Sequence, residues 1–203
     1  MIKNTTARRA APIVALVTAA TLALRVFLSI GLTGSILAAL SFSSQYFTVP
    51  TNVLTLLLMG SVAVGRPIGS DLMLAAIVAI GGVGVIYHAV LANLWAPRGM
   101  ELIADQGLHT VAPLCALGWW LASGHSPDWT LRTVASWLIW PLAYCIYALV
   151  RAQFNGFYPY PFIDIPQIGW PGLARNVVGL TLRFALLGTA ILALGRAIPT
   201  QPR

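Results

Sequence analysis

Charge is what this sequence has least of. Of 203 residues only 17 are charged, 12 basic and 5 acidic, or 8 %, about a third of the share usual in a soluble domain. So few charges could not cover the surface of a water-soluble fold, which argues against a soluble globular enzyme. The 58 % of apolar and 10 % of aromatic residues exclude a disordered chain, which is polar and poor in aromatics. Two cysteines, Cys115 and Cys145, both in apolar runs, exclude a disulfide framework and a cysteine-built metal site. Catalytic signatures are missing too. There is no Gly-x-Ser-x-Gly elbow, no His-Glu-x-x-His, no P-loop and no Gly-x-Gly-x-x-Gly, so neither a metal ligand set nor a cofactor fingerprint appears. The formal charge of +7 comes from singly scattered residues, eleven of them Arg. That scatter fits loop anchoring at a membrane better than a nucleic-acid partner.

What is present is hydrophobic length. A helix needs about 20 largely apolar residues to cross about 30 Å of hydrocarbon. Six runs qualify, at about 12–31, 47–64, 72–94, 106–122, 133–150 and 173–195, and the mean hydropathy is +0.82. They predict an all-α polytopic membrane protein, six transmembrane helices in one bundle, with no room for a soluble domain. Residues 1–24 resemble a signal peptide in outline, but the apolar stretch running on past Arg25 fits a retained first span better. Lys3, Arg8, Arg9, Arg66, Arg132, Arg196 and Arg203 fall on one side of a six-span topology, and Arg98, Arg151 and Arg175 on the other. Basic loops stay inside, so both termini are expected in the cytoplasm, with the chain in the cell (inner) membrane.

This topology gathers the polar residues at the outer ends of the spans. Thr48, Thr51, Asn52 and Thr55 stand at i, i+3, i+4 and i+7, one face of a helix. They could cap the helix, bond neighbouring helices, or form part of a site. Asp105 stands four residues before His109 and could orient its imidazole. Pro113 leaves the His109 carbonyl without its helical partner and should bend the span there. His88, at the outer end of the third span, could join His109 in holding a haem. Trp137, Trp140, Tyr144, Tyr147 and Arg151 form a helical stripe that reads as packing, or as the wall of an acyl-chain tunnel. The prolines of Tyr158-Pro159-Tyr160-Pro161-Phe162-Ile163-Asp164 forbid a helix and predict an extended rim segment. Asp164 could pair there with Arg25, Arg175 or Arg183. A cation inside a span costs about 2.5–3.5 kcal/mol on insertion scales, which calls for such a partner.

Three motifs carry a resemblance: Tyr46-Phe47-Thr48 with Thr51-Asn52, Leu108-His109-Thr110 with Pro113-Leu114, and the run 158–164. In this order they resemble the androgen-induced-protein (FAR-17a/AIG-one-like) membrane proteins, in particular their bacterial Pr-six-Pr branch, over about 28–194. Characterised eukaryotic relatives are multi-pass threonine hydrolases of lipid esters, notably fatty acid esters of hydroxy fatty acids. The resemblance implies Thr48 as nucleophile and His109 as base, with no cofactor and a membrane lipid or lipophilic ester as the partner. Asn52 is then the expected oxyanion donor and Asp105 the residue orienting His109. His88, Tyr144, Tyr147, Tyr158, Tyr160 and Asp164 are the expected pocket residues. This chain has Pro50-Thr51-Asn52 where the eukaryotic segment carries an Asp, which leaves Thr51 as a rival nucleophile. The alternatives are a non-enzymatic binder or transporter of lipids or small molecules, and a haem-bearing redox protein.

Overall fold

The computed structural model describes residues 5–123, 128 and 130–197. Lys3 and Arg203, used above, lie outside the described residues. The described chain is all helical. Eight α-helices follow in order: α1 (Thr5–Thr33), α2 (Ile36–Ser44), α3 (Thr48–Ala63), α4 (Ser70–Ile86), α5 (Met100–Gln106), α6 (Ala112–Ser123), α7 (Leu131–Asn155) and α8 (Ile165–Ala197). A π-helical turn, Tyr87–Leu91, extends α4, and another, Gly107–Val111, joins α5 to α6 without a break.

By length and hydropathy α1, α4 with its π turn, α7 and α8 can each cross a membrane, and α2 with α3 would add a fifth span bent by 100°. In α4 61 % of the apolar window is buried, against 22 % in α1, α7 and α8. A helix apolar all round belongs at the centre, and α4 packs on α3, α6, α7 and α8. The outer faces stay apolar, with Leu16, Phe27, Leu37, Leu57, Ile139, Phe154 and Leu186 exposed. In water such a surface would aggregate; in lipid it is the surface required, and it fits a membrane protein.

Four local features depart from the hydropathy reading. Residues 36–44 form a helix of their own, started by Gly34 at φ 79° and by Ser35, whose Oγ accepts the Ala38 N–H at 3.2 Å. Residues 100–105, assigned to a loop by their charges, begin the fourth helical run. Residues 165–172, also assigned to a loop, begin α8 across a kink at Gly169, where φ is 67°. Within the run 158–164, Pro161–Ile163 closes a single 3₁₀ turn rather than staying extended.

The start of α3, the π turn after α4, the start of the 100–123 run and the link between α7 and α8 meet at one end of the bundle. Thr48, Leu91, His109 and Tyr160, one from each, line the same two cavities.

Candidate functional site

Thr48 is the first residue of α3 and makes no side-chain cap. Its hydroxyl lies 3.0 Å from His109 Nε2 instead. The other ring nitrogen, Nδ1, faces two acceptors, the Asp105 carbonyl at 3.0 Å and Asp105 Oδ1 at 3.2 Å. Two acceptors require a proton on Nδ1, so in the neutral ring Nε2 is the acceptor and the Thr48 hydroxyl donates to it. Asp105 is 4 % exposed, and its Oδ2 accepts from the Tyr87 hydroxyl. The Tyr87 ring stacks on His109 with centroids 4.0 Å apart. Tyr87 therefore fixes both the ring and its carboxylate. Sequence reasoning passed it over, because a Tyr in an apolar run beside His88 carries no signal of its own.

The π turn sets this geometry. Pro113 has no N–H for the His109 carbonyl, and the Ala112 N–H reaches back five residues to the Gly107 carbonyl. The expected bend is thus a widened turn, a form that recurs at functional sites. Gly84 faces the freed carbonyl: a Cβ there would lie 3.1 Å from His109 O, so only glycine lets α4 come this close without a shift.

The polar face of α3 is buried as its spacing implied: Thr48, Thr51, Asn52 and Thr55 are all under 9 % exposed. Its members differ in what they do. Thr51 accepts from Trp140 Nε1 at 2.9 Å and lines neither cavity. Asn52 donates both amide hydrogens, to the Thr48 carbonyl at 2.9 Å and the Leu108 carbonyl at 3.3 Å. Reversing the amide would set its oxygen against two carbonyls. The donor role expected of Asn52 is therefore corrected: its N–H groups clamp α3 to the π turn and have none left for an oxyanion. Its own Oδ1 is buried without a partner.

Two cavities meet at the Thr48–His109 pair. One, about 70 Å³, runs between α4, α7 and α8 past Leu138, Tyr144, Leu180 and Phe184, and its walls are almost wholly apolar. The other, about 270 Å³, passes Asp105, Tyr87, Trp95 and Arg25. Of the expected pocket residues, Tyr144 and Tyr160 line the first cavity and Tyr160 the second as well. Four do not belong. His88 is exposed and bonds Thr110 at 2.9 Å. Tyr147 and Arg151 hold the end of α2, where Arg151 donates to the Ser41 carbonyl and to Ser44 Oγ, a cation placed against a helix C-terminus. Tyr158 accepts from Gln153 at the surface. Asp164 accepts from Gln167 and starts α8. Among the described residues no carboxylate lies within ion-pair distance of Arg25, Arg175 or Arg183; Arg25 lies over the Phe42 ring instead, 5.9 Å from its centroid. The stripe on α7 is mostly packing, with Trp137 fully buried and Trp140 bonded to Thr51.

Tyr160 accepts the Phe47 N–H at 2.9 Å, and its ring stands edge-on to that of Tyr144. Burial pushes its pKa up to about 12, so it stays a neutral phenol. Among the described residues no three His, Cys, Asp or Glu side chains cluster to hold a metal ion. The site therefore defines a class: an all-helical chain, with helices long and apolar enough to span a membrane, that holds a largely buried Thr–His–Asp chain where an apolar cavity meets a more polar one. Comparison with known proteins finds no matching family model, no matching curated protein and no matching solved structure.

Proposed function

We propose that this chain is a membrane-embedded hydrolase of lipophilic esters, of the androgen-induced-protein-like kind, with Thr48 as nucleophile and His109 as base. The observation that carries the reading is the hydrogen-bond chain Thr48–His109–Asp105 at the junction of the two cavities. A threonine hydroxyl is a weak nucleophile until a base within hydrogen-bond reach takes its proton, and His109 Nε2 is in that position. Thr48 Oγ attacks the ester carbonyl carbon while its proton passes to Nε2. The C–O bond to the alcohol breaks, and Nε2 returns the proton to the leaving oxygen. Water then attacks the acyl-threonine through the same base and releases the acid. Asp105 and Tyr87 keep the tautomer this cycle needs. The apolar cavity suits an acyl chain, and the larger cavity suits the remainder of the ester. Thr51 is the weaker nucleophile, because its hydroxyl serves Trp140. The haem reading loses ground because Nε2 of both His88 and His109 is engaged by a threonine.

The same reading takes the helices as six spans: α1, the bent α2–α3 pair, α4 with its π turn, residues 100–123, α7 and α8. Successive helices alternate in direction, as the meeting of their ends at one cavity requires. The split of basic residues between loops supports the reading that this end faces outward across the cell membrane, with both termini in the cytoplasm.

The test is hydrolysis of a fluorogenic medium-chain ester by the protein in liposomes. Turnover that disappears in a folded Thr48→Ala protein is the expected result. Full turnover in that variant overturns the proposal.

A further inference from the structure

Catalysis by Thr48 needs a donor for the oxyanion, and the obvious one, Asn52, has both N–H groups on backbone carbonyls. We infer that the Tyr160 hydroxyl is that donor, a catalytic residue that works with the Thr48–His109 pair. The inference rests on the ester-hydrolase reading above.

Four observations converge. Tyr160 is the only hydroxyl-bearing side chain besides Thr48 that lines both cavities among the described residues. Its oxygen accepts the Phe47 N–H, so its hydrogen is free to point elsewhere. The Thr48 hydroxyl, on the wall of the same two cavities, has already given its one hydrogen to His109 and so does not donate to the phenol. The ring is also held rigidly, stacked on Phe162 with centroids 5.0 Å apart and set edge-on to Tyr46 and Tyr144. The 3₁₀ turn anchors that stack: the Ile163 N–H bonds the Tyr160 carbonyl, and Asn176 donates to the Phe162 carbonyl.

The chemistry follows from this placement. As Thr48 Oγ forms its bond to the ester carbon, the carbonyl π electrons move onto the carbonyl oxygen. That oxygen develops two bonds away from Thr48 Oγ, and the phenol proton shifts its hydrogen bond to it without leaving Tyr160. When the alcohol departs the electrons return and the carbonyl re-forms; the same exchange serves deacylation. The Phe47 N–H polarises the phenol and strengthens it as a donor. With a pKa near 12 the phenol does not ionise at neutral pH, where a phenolate would repel the oxyanion. Such a donor acts mainly on the transition state, so its loss lowers kcat rather than raising KM.

The experiment compares native protein, Tyr160→Phe, Tyr158→Phe and Thr48→Ala in liposomes with the fluorogenic medium-chain ester. Tyr160→Phe should lower kcat by about 10²–10³-fold, leaving KM nearly unchanged, while Tyr158→Phe stays at the native rate. Inhibition by a medium-chain trifluoromethyl ketone, which forms an oxyanion adduct with the nucleophile, should weaken by the factor that kcat/KM loses. Native kcat in Tyr160→Phe beside an inactive Thr48→Ala overturns the Tyr160 assignment alone. Full activity in Thr48→Ala overturns the nucleophile and this inference with it. Since the Phe variant also deprives the Phe47 N–H of its acceptor, a second form carries a fluorinated tyrosine at 160, which keeps the ring and hydroxyl but ionises at lower pH. The alkaline limb of kcat should then move to lower pH; an unmoved limb overturns the assignment.

Discussion

At the scale of single residues, the structure divides a polar face that looks uniform in sequence. Thr48, Thr51, Asn52 and Thr55 share one helical spacing, which was legible. Which of them faces His109 was not, because that depends on the residue each meets on α7 and on the π turn. The partners give them different consequences. Thr48→Ala, His109→Ala and the double variant should lose similar amounts of ester hydrolysis, since a nucleophile and its base act as a unit. Additive losses, measured as kcat/KM, would speak for separate roles. Thr51→Ala should keep most activity and cost stability, because it strands the half-buried Trp140 N–H. Asn52→Ala should lower both the unfolding temperature and kcat. It removes the clamp on the Thr48 and Leu108 carbonyls, a loss of about 1–3 kcal/mol for groups left unpaired in the interior. Thermal unfolding beside activity separates the two threonines: one variant inactive and stable, the other active and less stable.

At the scale of elements, the site depends on two breaks in helical regularity. One is the 100° turn between α2 and α3, which makes Thr48 the first residue of its helix. The developing charge on its substrate then lies toward the positive end of α3. The other is the π turn around His109. Pro113 made that irregularity legible, and its place beside His109 was read correctly; the form it takes was not, since a lost hydrogen bond can yield a kink or a widened turn. Pro113→Ala restores an N–H for the His109 carbonyl. Tightening the π turn to an α turn would rotate the residues before it by about 100° relative to α6 and carry His109 away from Thr48. The expected outcome is a large loss of kcat with thermal stability kept or raised. A variant with native kcat would show that the π turn is not needed. Residues 36–44 were missed because Ser41, Ser43 and Ser44 break the apolar run, although Gly34 and Ser35 carry the start signal of a helix.

At the scale of the whole molecule, four of the six apolar runs are helices long and apolar enough to cross a membrane, the bent α2–α3 pair adds a fifth, and hydropathy placed their ends poorly. Glu101 and Asp105 kept the fourth run from starting at Met100 in the sequence reading, yet Asp105 is buried because it serves His109 and Tyr87. The sequence reading likewise began the last run at 173, whereas α8 starts at Ile165 across a kink at Gly169. A charge or a proline next to a span ordinarily signals a loop; here each belongs to the working end of the bundle. The proposed topology places that end outside. A periplasm-active phosphatase reporter fused after Asn155 should be active and one fused at the C-terminus inactive. The reverse pattern would turn the bundle over and open its site to the cytoplasm.

The central claim is that Thr48 is the nucleophile, and covalent capture tests it most directly. The protein in liposomes is treated with a long-chain fluorophosphonate, digested, and the adduct is located by mass spectrometry. The account predicts a single phosphonyl group on Thr48, formed slowly or not at all in His109→Ala and blocked by excess ester. An adduct on Thr51, or native ester turnover in protein that the probe never modifies at Thr48, would contradict it.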